Sequence, residues 1–381
     1  INEEWISDKT RHACDGLRVQ RLDRPYVRNA QGKLVEASWQ DAFAMIAQTM
    51  SNIRPQEMAA LAGNTACVES IMALRDLTDS LGIMNRDCRM DGEKYEATDR
   101  ARYLFNTTIA GIEQADQLLI IGANPRMEAA LVNARIRKSW RAGKLKVHLL
   151  GQEANLTYPY EYLGNDPRLL NEILAGTDPL SEELANAKNP MIILGSDLFT
   201  RADSAEILSA IEAMVQKFNI VREGWNGYNV LHHAAGRVGA MDLGFVPGNG
   251  GKNITQIVDS CRREEVKLVY LLGVDEFDMG LLGDAFVIYQ GHHGDAGAHR
   301  ADIVLPGAAY TEKEATYVNL EGRPQRTARA VFPPGQARED WAILRALSEV
   351  MGKALPYNTL EELRARMAQQ TPHLGRIGAI T

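Results

Sequence analysis

Two neighbouring histidines are the residues of this chain best suited to do chemistry. His292 and His293 lie in the sequence Gln290-Gly-His-His-Gly-Asp295, where two imidazoles and a carboxylate could carry protons or bind a metal ion. Side chains of adjacent residues point in different directions, so we do not predict a joint metal site at the two histidines. A loop histidine of this kind is more often a hydrogen-bonding residue, and that is the role we expect.

The four cysteines do not form a metal motif. They are far apart, without a Cys-x-x-Cys pair or the Cys/His spacing of a zinc site, at Cys14, Cys67, Cys88 and Cys261. We therefore expect reduced thiols. Cys14 would need three more thiolates to hold an iron–sulfur cluster, and none lies near it in the sequence. A small buried residue is the expected role of Cys14.

The sequence Gly122-Ala-Asn-Pro-Arg126 is a candidate anion site. Pro125 disfavours helix at Asn124, and the next helix is expected to begin near Glu128. Backbone amides and the positive end of that helix would face a bound anion. A plain strand-to-helix turn explains the same residues and is the simpler interpretation. Basic residues further along this helix favour an acidic partner or, more simply, a solvated face; they are Arg135, Arg137, Lys138 and Arg141.

No catalytic constellation is found, and we predict no catalytic residue. The sequence lacks the Gly-x-x-x-x-Gly-Lys-Ser/Thr, Gly-x-Ser-x-Gly, His-Glu-x-x-His and Gly-x-Gly-x-x-Gly motifs. The net charge of 42 − 49 = −7 argues against a nucleic-acid binder. No apolar run reaches the roughly 18–20 residues that cross a bilayer, so direct membrane insertion is not expected. Because the 381 residues begin with Ile1, we interpret them as a fragment of a longer polypeptide.

Six short apolar runs predict the strands that position these residues. Their continuous apolar character is typical of strands buried on both faces of a parallel sheet, at 58–64, 117–124, 146–150, 190–197, 267–275 and 285–289. Apolar residues at helical spacing predict helices around 71–81, 132–140, 208–218 and 341–351. This alternation predicts an α/β fold with parallel, Rossmann-like sheets. Four of the strands end in a glycine, and we expect these ends to gather around one central groove; the glycines are Gly63, Gly122, Gly195 and Gly273.

Six blocks of the sequence, taken in order, resemble the molybdopterin oxidoreductases. Their amino-acid sequences are most similar to the family of the large iron–sulfur subunit of respiratory complex I, the NADH:quinone oxidoreductase. The blocks are 2–11, 106–111, 133–140, 290–295, 305–313 and 334–341. The resemblance implies nested α/β lobes, with an extended leading segment 1–35, a first lobe of 36–95 plus 226–348, an inserted second lobe of 96–225, and a C-terminal helix and tail at 349–381.

The resemblance also implies that the cofactor site is vestigial. In the molybdenum enzymes the loop equivalent to 290–295 packs beside the pterin, but here histidines and Asp295 replace its hydroxyl-rich run. A family lysine between cluster and pterin is replaced by Asp15, which we expect to pair with Arg18 or Arg21. We predict that loops such as 290–299 fill the cleft and that no cofactor binds. The vestigial cleft residues are Gly122, Asn124, Pro125, Gly273, His292, His293 and Asp295.

The function implied is a structural and interaction domain in the peripheral arm of complex I. Iron–sulfur clusters would belong to an N-terminal part outside this fragment. Expected partners are that cluster domain, against which residues 1–35 would pack, and other peripheral-arm subunits. The expected location is the cytoplasmic side of a bacterial inner membrane or, alternatively, the matrix side of the mitochondrial inner membrane. Two other interpretations are an active molybdopterin-dependent oxidoreductase similar to formate dehydrogenase and a stand-alone nucleotide-binding enzyme.

Overall fold

The computed structural model describes residues 4–380. The chain divides into two compact units. The smaller unit comprises residues 93–233, with short pieces up to residue 12 and at 320–322. The larger unit comprises 13–92, 234–319 and 323 onwards. No helix in the described part of the chain is both long enough and apolar enough to cross a membrane.

A seven-stranded sheet forms the centre of the larger unit. Five strands are parallel, and two antiparallel strands extend one edge. In spatial order they are Asn85–Asp87, Met58–Ala62, Leu268–Leu272, Phe286–Gly291, Ile303–Pro306, Tyr26–Arg28 and Leu34–Glu36. Every residue of Met58–Ala62 and Leu268–Leu272 is buried, as a strand covered on both faces requires. The pair Thr316–Val318 and Pro324–Arg326 forms a separate antiparallel ribbon.

Helices cover this sheet and close the larger unit. Val68–Leu81 buries Ile71, Leu74 and Leu77 and ends at Gly82, whose φ of 73° is left-handed. It packs against Asp340–Val350, which buries Ile343, Leu344 and Leu347. The α-helices are Trp39–Ser51, Val68–Leu81, Arg237–Asp242, Ile254–Arg262, Ala296–Arg300, Asp340–Val350 and Leu360–Gln370. The 3-10 helices are Ala13–Arg18, Pro55–Glu57, Met279–Leu282 and Pro372–Gly375.

The smaller unit is built on a five-stranded sheet that is parallel throughout. Its spatial order is Tyr228–Val230, Pro190–Leu194, Gln117–Ile121, Lys146–Leu150 and Glu161–Tyr162. Val221–Arg222 and Trp225–Asn226 form a short antiparallel pair. The α-helices are Asp8–His12, Pro125–Glu128, Ala130–Arg141, Leu169–Ala175, Leu180–Asn186, Asp197–Thr200 and Ser204–Lys217, and the 3-10 helices are Arg100–Arg102 and Ala110–Gln114.

The predicted α/β fold with parallel sheets is confirmed, and each of the six predicted strands is present. One helix buries a face displaced by one residue from the apolar stripe that predicts it, which consists of Leu208, Ile211, Val215 and Phe218. Ser204–Lys217 buries Ile207, Ile211 and Met214, whereas Leu208 and Val215 are only half-buried. The sequence carries two overlapping apolar stripes one residue apart, and packing selects the other one.

Part of the leading segment 1–35 joins the larger sheet. Tyr26–Arg28 pairs with Ile303–Pro306 and Leu34–Glu36 pairs with Tyr26–Arg28, so both strands belong to the seven-stranded sheet. Residues 1–3 of that segment lie outside the described residues. The lobe boundaries that the resemblance implies stay a prediction.

Candidate functional site

Glycines close the carboxyl edge of the seven-stranded sheet. A Cβ atom at Gly63 would lie 2.0 Å from the carbonyl oxygen of Gly273. Gly273 itself has a φ of +62°, which a side chain would strain. The amide of Gly63 donates to the Leu272 carbonyl at 2.9 Å, and the amide of Gly273 donates to the Gln290 carbonyl at 2.7 Å. The loops that follow the adjacent strands Met58–Ala62 and Leu268–Leu272 are therefore in direct backbone contact.

A buried polar network lies beside this edge. The Lys313 ammonium donates to Asp340 Oδ2 at 2.5 Å, and Gln290 Nε2 donates to Asp340 Oδ1 at 3.1 Å. The Tyr270 hydroxyl donates to Gln290 Oε1 at 2.6 Å, and Ser70 donates to Asp340 at 3.3 Å. All five side chains are buried. Burial by itself lowers the pKa of Lys313, but the charge of Asp340 outweighs burial and raises that pKa, so the ammonium stays charged.

This network leaves almost no space at the edge. The remaining cavity has a volume of about 20 Å³, and it is lined by Thr65, Ala66, Leu272, Gly273, Gln290, Gly291, His292, Lys313 and Asp340. Such a cavity is about the size needed for a single water molecule. Loop 290–299 contributes Gln290, Gly291 and His292 to this lining, and the two charged groups come from elsewhere in the chain. That this loop fills one central groove stays a prediction.

The two histidines are closer partners than the sequence suggested. Their Nδ1 atoms face each other within hydrogen-bonding distance, and their rings meet edge to face with centroids 4.7 Å apart. The prediction that they point apart is wrong, because His292 lies in a bend where the alternation of an extended strand does not apply. Burial, followed by the charge of Lys313, lowers the pKa of His292 to about 4, which makes its imidazole neutral near pH 7.

Both histidines contact the leading part of the chain. The Nε2 atom of His293 lies 2.8 Å from the Gly16 carbonyl, and the Leu22 amide donates to the His292 carbonyl at 3.1 Å. The Gly294 amide donates to the Gln20 carbonyl at 2.7 Å. The hydrogen-bonding role predicted for this loop is therefore what the geometry shows, and the partners are the chain's own residues 16–22.

The predicted ion pair of Asp15 is wrong. Asp15 is exposed in the 3-10 helix Ala13–Arg18, and its side chain forms no ion pair or hydrogen bond with any residue in 4–380. Water solvates an exposed carboxylate, so Asp15 needs no cation. The Arg21 guanidinium instead binds both oxygens of the buried Glu312, at 2.5 and 2.6 Å. A bidentate pair that is shielded from water is the stronger partner for Arg21.

Asp295 has a local structural role. It caps the helix Ala296–Arg300 by accepting a hydrogen bond from the Ala298 amide at 3.0 Å. Its other oxygen accepts a hydrogen bond from the Tyr289 hydroxyl. Both oxygens of this sequence-predicted cleft residue are thus used within the fold.

The cysteines divide into one exposed and three buried thiols. Cys14 is exposed, so its predicted role as a small buried residue is wrong; none of the six residues in its 3-10 helix is buried. Burial raises the pKa of Cys67 and Cys261 to about 11 and that of Cys88 to about 12. Within residues 4–380, no three His, Cys, Asp or Glu side chains converge in a group that could hold a metal ion.

The five-stranded sheet of the smaller unit has a similar glycine closure at its carboxyl edge. Gly122 has a φ of +61°, and a Cβ atom at Gly195 would lie 1.9 Å from the Gly122 carbonyl oxygen. Asn124 is not helical, as predicted, but the helix begins at Pro125 rather than near Glu128. It ends after four residues, and a second helix begins at Ala130. The backbone amide of Asn124 donates to Glu128 Oε1 at 2.6 Å, so an internal carboxylate takes the predicted anion position.

An open cavity of about 650 Å³ lies at this second edge. Its lining includes three carboxylates, on Glu128, Glu153 and Asp197. The one cation in the lining, Arg201, forms an ion pair with Asp203 at 2.7 Å. Side chains of the smaller unit therefore leave this edge open. The site is large enough for a pterin, but its carboxylates would repel the phosphate of a molybdopterin cofactor, so the residues present do not fit that group.

The predicted cleft residues fall into two sets. Gly122, Asn124 and Pro125 belong to the smaller unit, and Gly273, His292, His293 and Asp295 belong to the larger one. Sequence reasoning missed the buried pair of Lys313 and Asp340 and the carboxylate of Glu128. Neither a motif nor a periodicity marks these residues, because each acquires its partner through tertiary packing. One signal was present: Glu312-Lys-Glu314 is a charged run between the small apolar residues Ala309 and Ala315.

Comparison with known proteins gives consistent results. The sequence model of the molybdopterin oxidoreductase family matches residues 21–350. The chain is 46% identical over 375 residues to the mitochondrial NADH dehydrogenase [ubiquinone] iron-sulfur protein 1 of Solanum tuberosum, covering 98% of this chain and 50% of that protein. It is 45% identical over 380 residues to a subunit of the NADH-quinone oxidoreductase of Rickettsia bellii, covering 100% and 54%. The chain thus spans about half the length of these relatives.

Solved structures agree at the level of the fold. The formyltransferase/hydrolase complex of Methylorubrum extorquens contains a chain that aligns with a TM-score of 0.64 and 16% identity, covering 86% of this chain and 99% of that one. Acetylene hydratase from Pelobacter acetylenicus aligns with a TM-score of 0.59 and 14% identity, covering 91% and 64%. At these identities the similarity concerns the fold alone.

Proposed function

Because this chain belongs to the molybdopterin oxidoreductase family, we propose that it keeps the fold of that family for a structural and interaction role in the peripheral arm of an NADH:quinone oxidoreductase. Identity of 45–46% over almost the whole chain to subunits of that enzyme supports the assignment to the complex. The chain would be part of an electron-transfer subunit without carrying the redox chemistry itself.

One observation carries the structural role. At the carboxyl edge of the seven-stranded sheet, the ion pair of Lys313 with Asp340 and the side chain of Gln290 leave a cavity of only about 20 Å³. Opening this edge for a pterin would break a buried ion pair and leave each charge without its partner, which is costly. A fold whose former ligand edge is filled in this way supports a scaffold and not a catalyst.

The proposed partners and location follow from the relatives. We propose that the remaining half of the subunit carries the iron–sulfur clusters and packs against this chain, together with other peripheral-arm subunits. The complex would lie on the cytoplasmic side of a bacterial inner membrane or on the matrix side of the mitochondrial inner membrane.

The leading segment is the surface that we assign to these partners. Trp5 is 73% exposed and its neighbour Ile6 is 50% exposed. Tryptophan is strongly favoured among the residues that dominate binding at interfaces. Co-expression of the full chain with the other peripheral-arm subunits, followed by size-exclusion chromatography, tests the assignment. Trp5→Ser should reduce co-elution, whereas the matched exposed aromatic variant Phe332→Ser should not.

The alternative is an active molybdopterin-dependent oxidoreductase. The cavity of about 650 Å³ in the smaller unit is of a size typical of ligand binding, but its three carboxylates argue against a molybdopterin there. Metal analysis of the purified full chain by plasma mass spectrometry separates the two. We expect molybdenum far below one atom per chain, with a molybdenum-loaded formate dehydrogenase as the positive control. A near-stoichiometric molybdenum content would replace the scaffold proposal with the alternative.

A further inference from the structure

The larger unit contains a basic pocket that takes no part in the function proposed above. Its volume is about 470 Å³. Four cations line it, from separate parts of the chain: Arg75 from helix Val68–Leu81, Arg86 from strand Asn85–Asp87, Lys353 from the turn after helix Asp340–Val350, and Arg366 from helix Leu360–Gln370. The chain as a whole has a net charge of −7, so this concentration of positive charge is local.

Two carboxylates in the lining neutralise only half of this charge. Asp76 is shared, because one oxygen lies 3.3 Å from Arg75 and the other accepts a hydrogen bond from Arg366 at 2.8 Å. Asp79 pairs with Arg86. Four cations and two carboxylates leave a net charge of 4 − 2 = +2 in the pocket lining.

Several donors in the pocket are not used within the fold. Lys353 is exposed and has no ion pair with a residue in 4–380. Arg366 uses its Nε atom for Asp76, and its two terminal nitrogens have no acceptor among the same residues. The Nε atom of Arg75 is buried and has no hydrogen-bond partner in the described part of the chain. That atom is shielded from solvent, so the donors available to an anion in the pocket are those of Lys353 and the terminal nitrogens of Arg366.

We infer that this pocket binds the phosphate or pyrophosphate group of a small soluble molecule. Guanidinium groups match phosphate oxygens in pairs, and Lys353 adds a mobile point charge. The volume exceeds that of a single phosphate and lies within the range of small-molecule sites. Ion pairs within a solvated surface explain Asp76 and Asp79, but they do not explain why Arg75 and Arg366 share a single carboxylate while Lys353, with none, lines the same concave space.

Calorimetric titration of the full chain with sodium pyrophosphate tests the inference. We expect saturable binding of one pyrophosphate per chain that weakens with added salt. Arg366→Gln and Lys353→Gln should each weaken binding by roughly tenfold, because each removes charged donors to the ligand. The matched control Arg263→Gln removes an exposed arginine of the same unit that pairs with Glu265, and it should leave the affinity unchanged.

Arg366→Gln removes a partner of the buried Asp76 and could therefore disturb the fold. Lys353 has no ion pair within the described residues, so Lys353→Gln tests binding without that complication. Pyrophosphate that fails to saturate, or that binds all three variants equally, would overturn the inference. Titration with inorganic phosphate then shows whether one phosphate suffices. Affinity at least as tight as for pyrophosphate would assign the pocket to a single phosphate, and weaker affinity would assign it to the pyrophosphate group.

Discussion

The ammonium of Lys313 lies 2.5 Å from the carboxylate of Asp340, and both side chains are buried at the carboxyl edge of the seven-stranded sheet. The two residues stand 27 positions apart in the sequence. Gln290 and Ser70 hold the same carboxylate, so Asp340 has a hydrogen bond at each oxygen. A pair of this kind is stable only while every member is present.

Removing one partner of this pair should therefore be severe. We expect Lys313→Met to lower the free energy of unfolding by about 3–5 kcal/mol, because it leaves the Asp340 charge buried and uncompensated. Urea denaturation followed by circular dichroism measures the change. The double variant Lys313→Met/Asp340→Asn should lose less than the sum of the two single variants, since the second change removes the stranded charge. Strict additivity would mean that the two charges do not interact.

Acid should destabilise the larger unit through His292. The folded-state pKa of His292 is about 4, below its usual value of 6.5, because burial disfavours the charged ring. Above pH 6.5 the group is neutral in both states and has no effect. As the pH falls from 6.5 towards 4, the unfolded chain takes up a proton that the folded chain does not, so stability is lost over that window.

Urea denaturation at several pH values between 6.5 and 4 checks this prediction. His292→Gln should reduce the loss of stability over the window, whereas the control His299→Gln, at an exposed histidine, should retain it. A His292→Gln profile that matches the parent chain would show that His292 does not control the acid response.

The parallel sheets could be predicted because their cause is local in the sequence. A continuous apolar run such as Leu268–Leu272 has few alternatives to a strand buried on both faces, and a terminal glycine marks where the chain must turn. Gly122 and Pro125 likewise mark the strand-to-helix turn, because the backbone conformation of each residue type is distinctive.

The contacts between polar side chains at the site could not be predicted in the same way. The contact of His292 with His293 depends on a bend, and the contact of Arg21 with Glu312 joins residues 291 positions apart. Hydrophobic periodicity reports which face of an element is buried, but it does not report which polar groups meet there. The error at Asp15 has this origin, because charge and proximity in sequence suggested Arg21 while the fold supplied a better carboxylate.

Thiol reactivity should separate Cys14 from the other three cysteines. Cys14 is exposed, whereas burial both shields the remaining thiols and raises their pKa, which reduces the reactive thiolate. A chromogenic disulfide reagent should therefore modify one thiol quickly in the native chain and all four in denaturant. Cys14→Ser should abolish the fast phase. A persistent fast phase in that variant would place a second thiol at the surface.

The close backbone contacts at these glycines predict that alanine substitutions lower the free energy of unfolding by different amounts. A Cβ atom at Gly63 would meet the Gly273 carbonyl carbon at 2.7 Å and its oxygen at 2.0 Å, and both belong to backbone that is held by the sheet. Gly63→Ala should therefore separate two adjacent strands and cost about 3 kcal/mol of unfolding free energy. Gly273→Ala meets no atom within 4 Å but has a φ of +62°, so only backbone strain of about 1–2 kcal/mol applies.

Gly16→Ala provides the control, because Gly16 has neither a close neighbour nor a left-handed φ. Its unfolding free energy should stay within about 0.5 kcal/mol of the parent chain. The order of the three variants in urea denaturation distinguishes the causes. If Gly273→Ala lowered the free energy of unfolding as much as Gly63→Ala, backbone conformation alone would explain why these positions are glycine. We expect Gly63→Ala to be the most destabilising variant. That order would show that the close approach of the two loops limits this position, at the edge where Lys313 and Asp340 fill the remaining space.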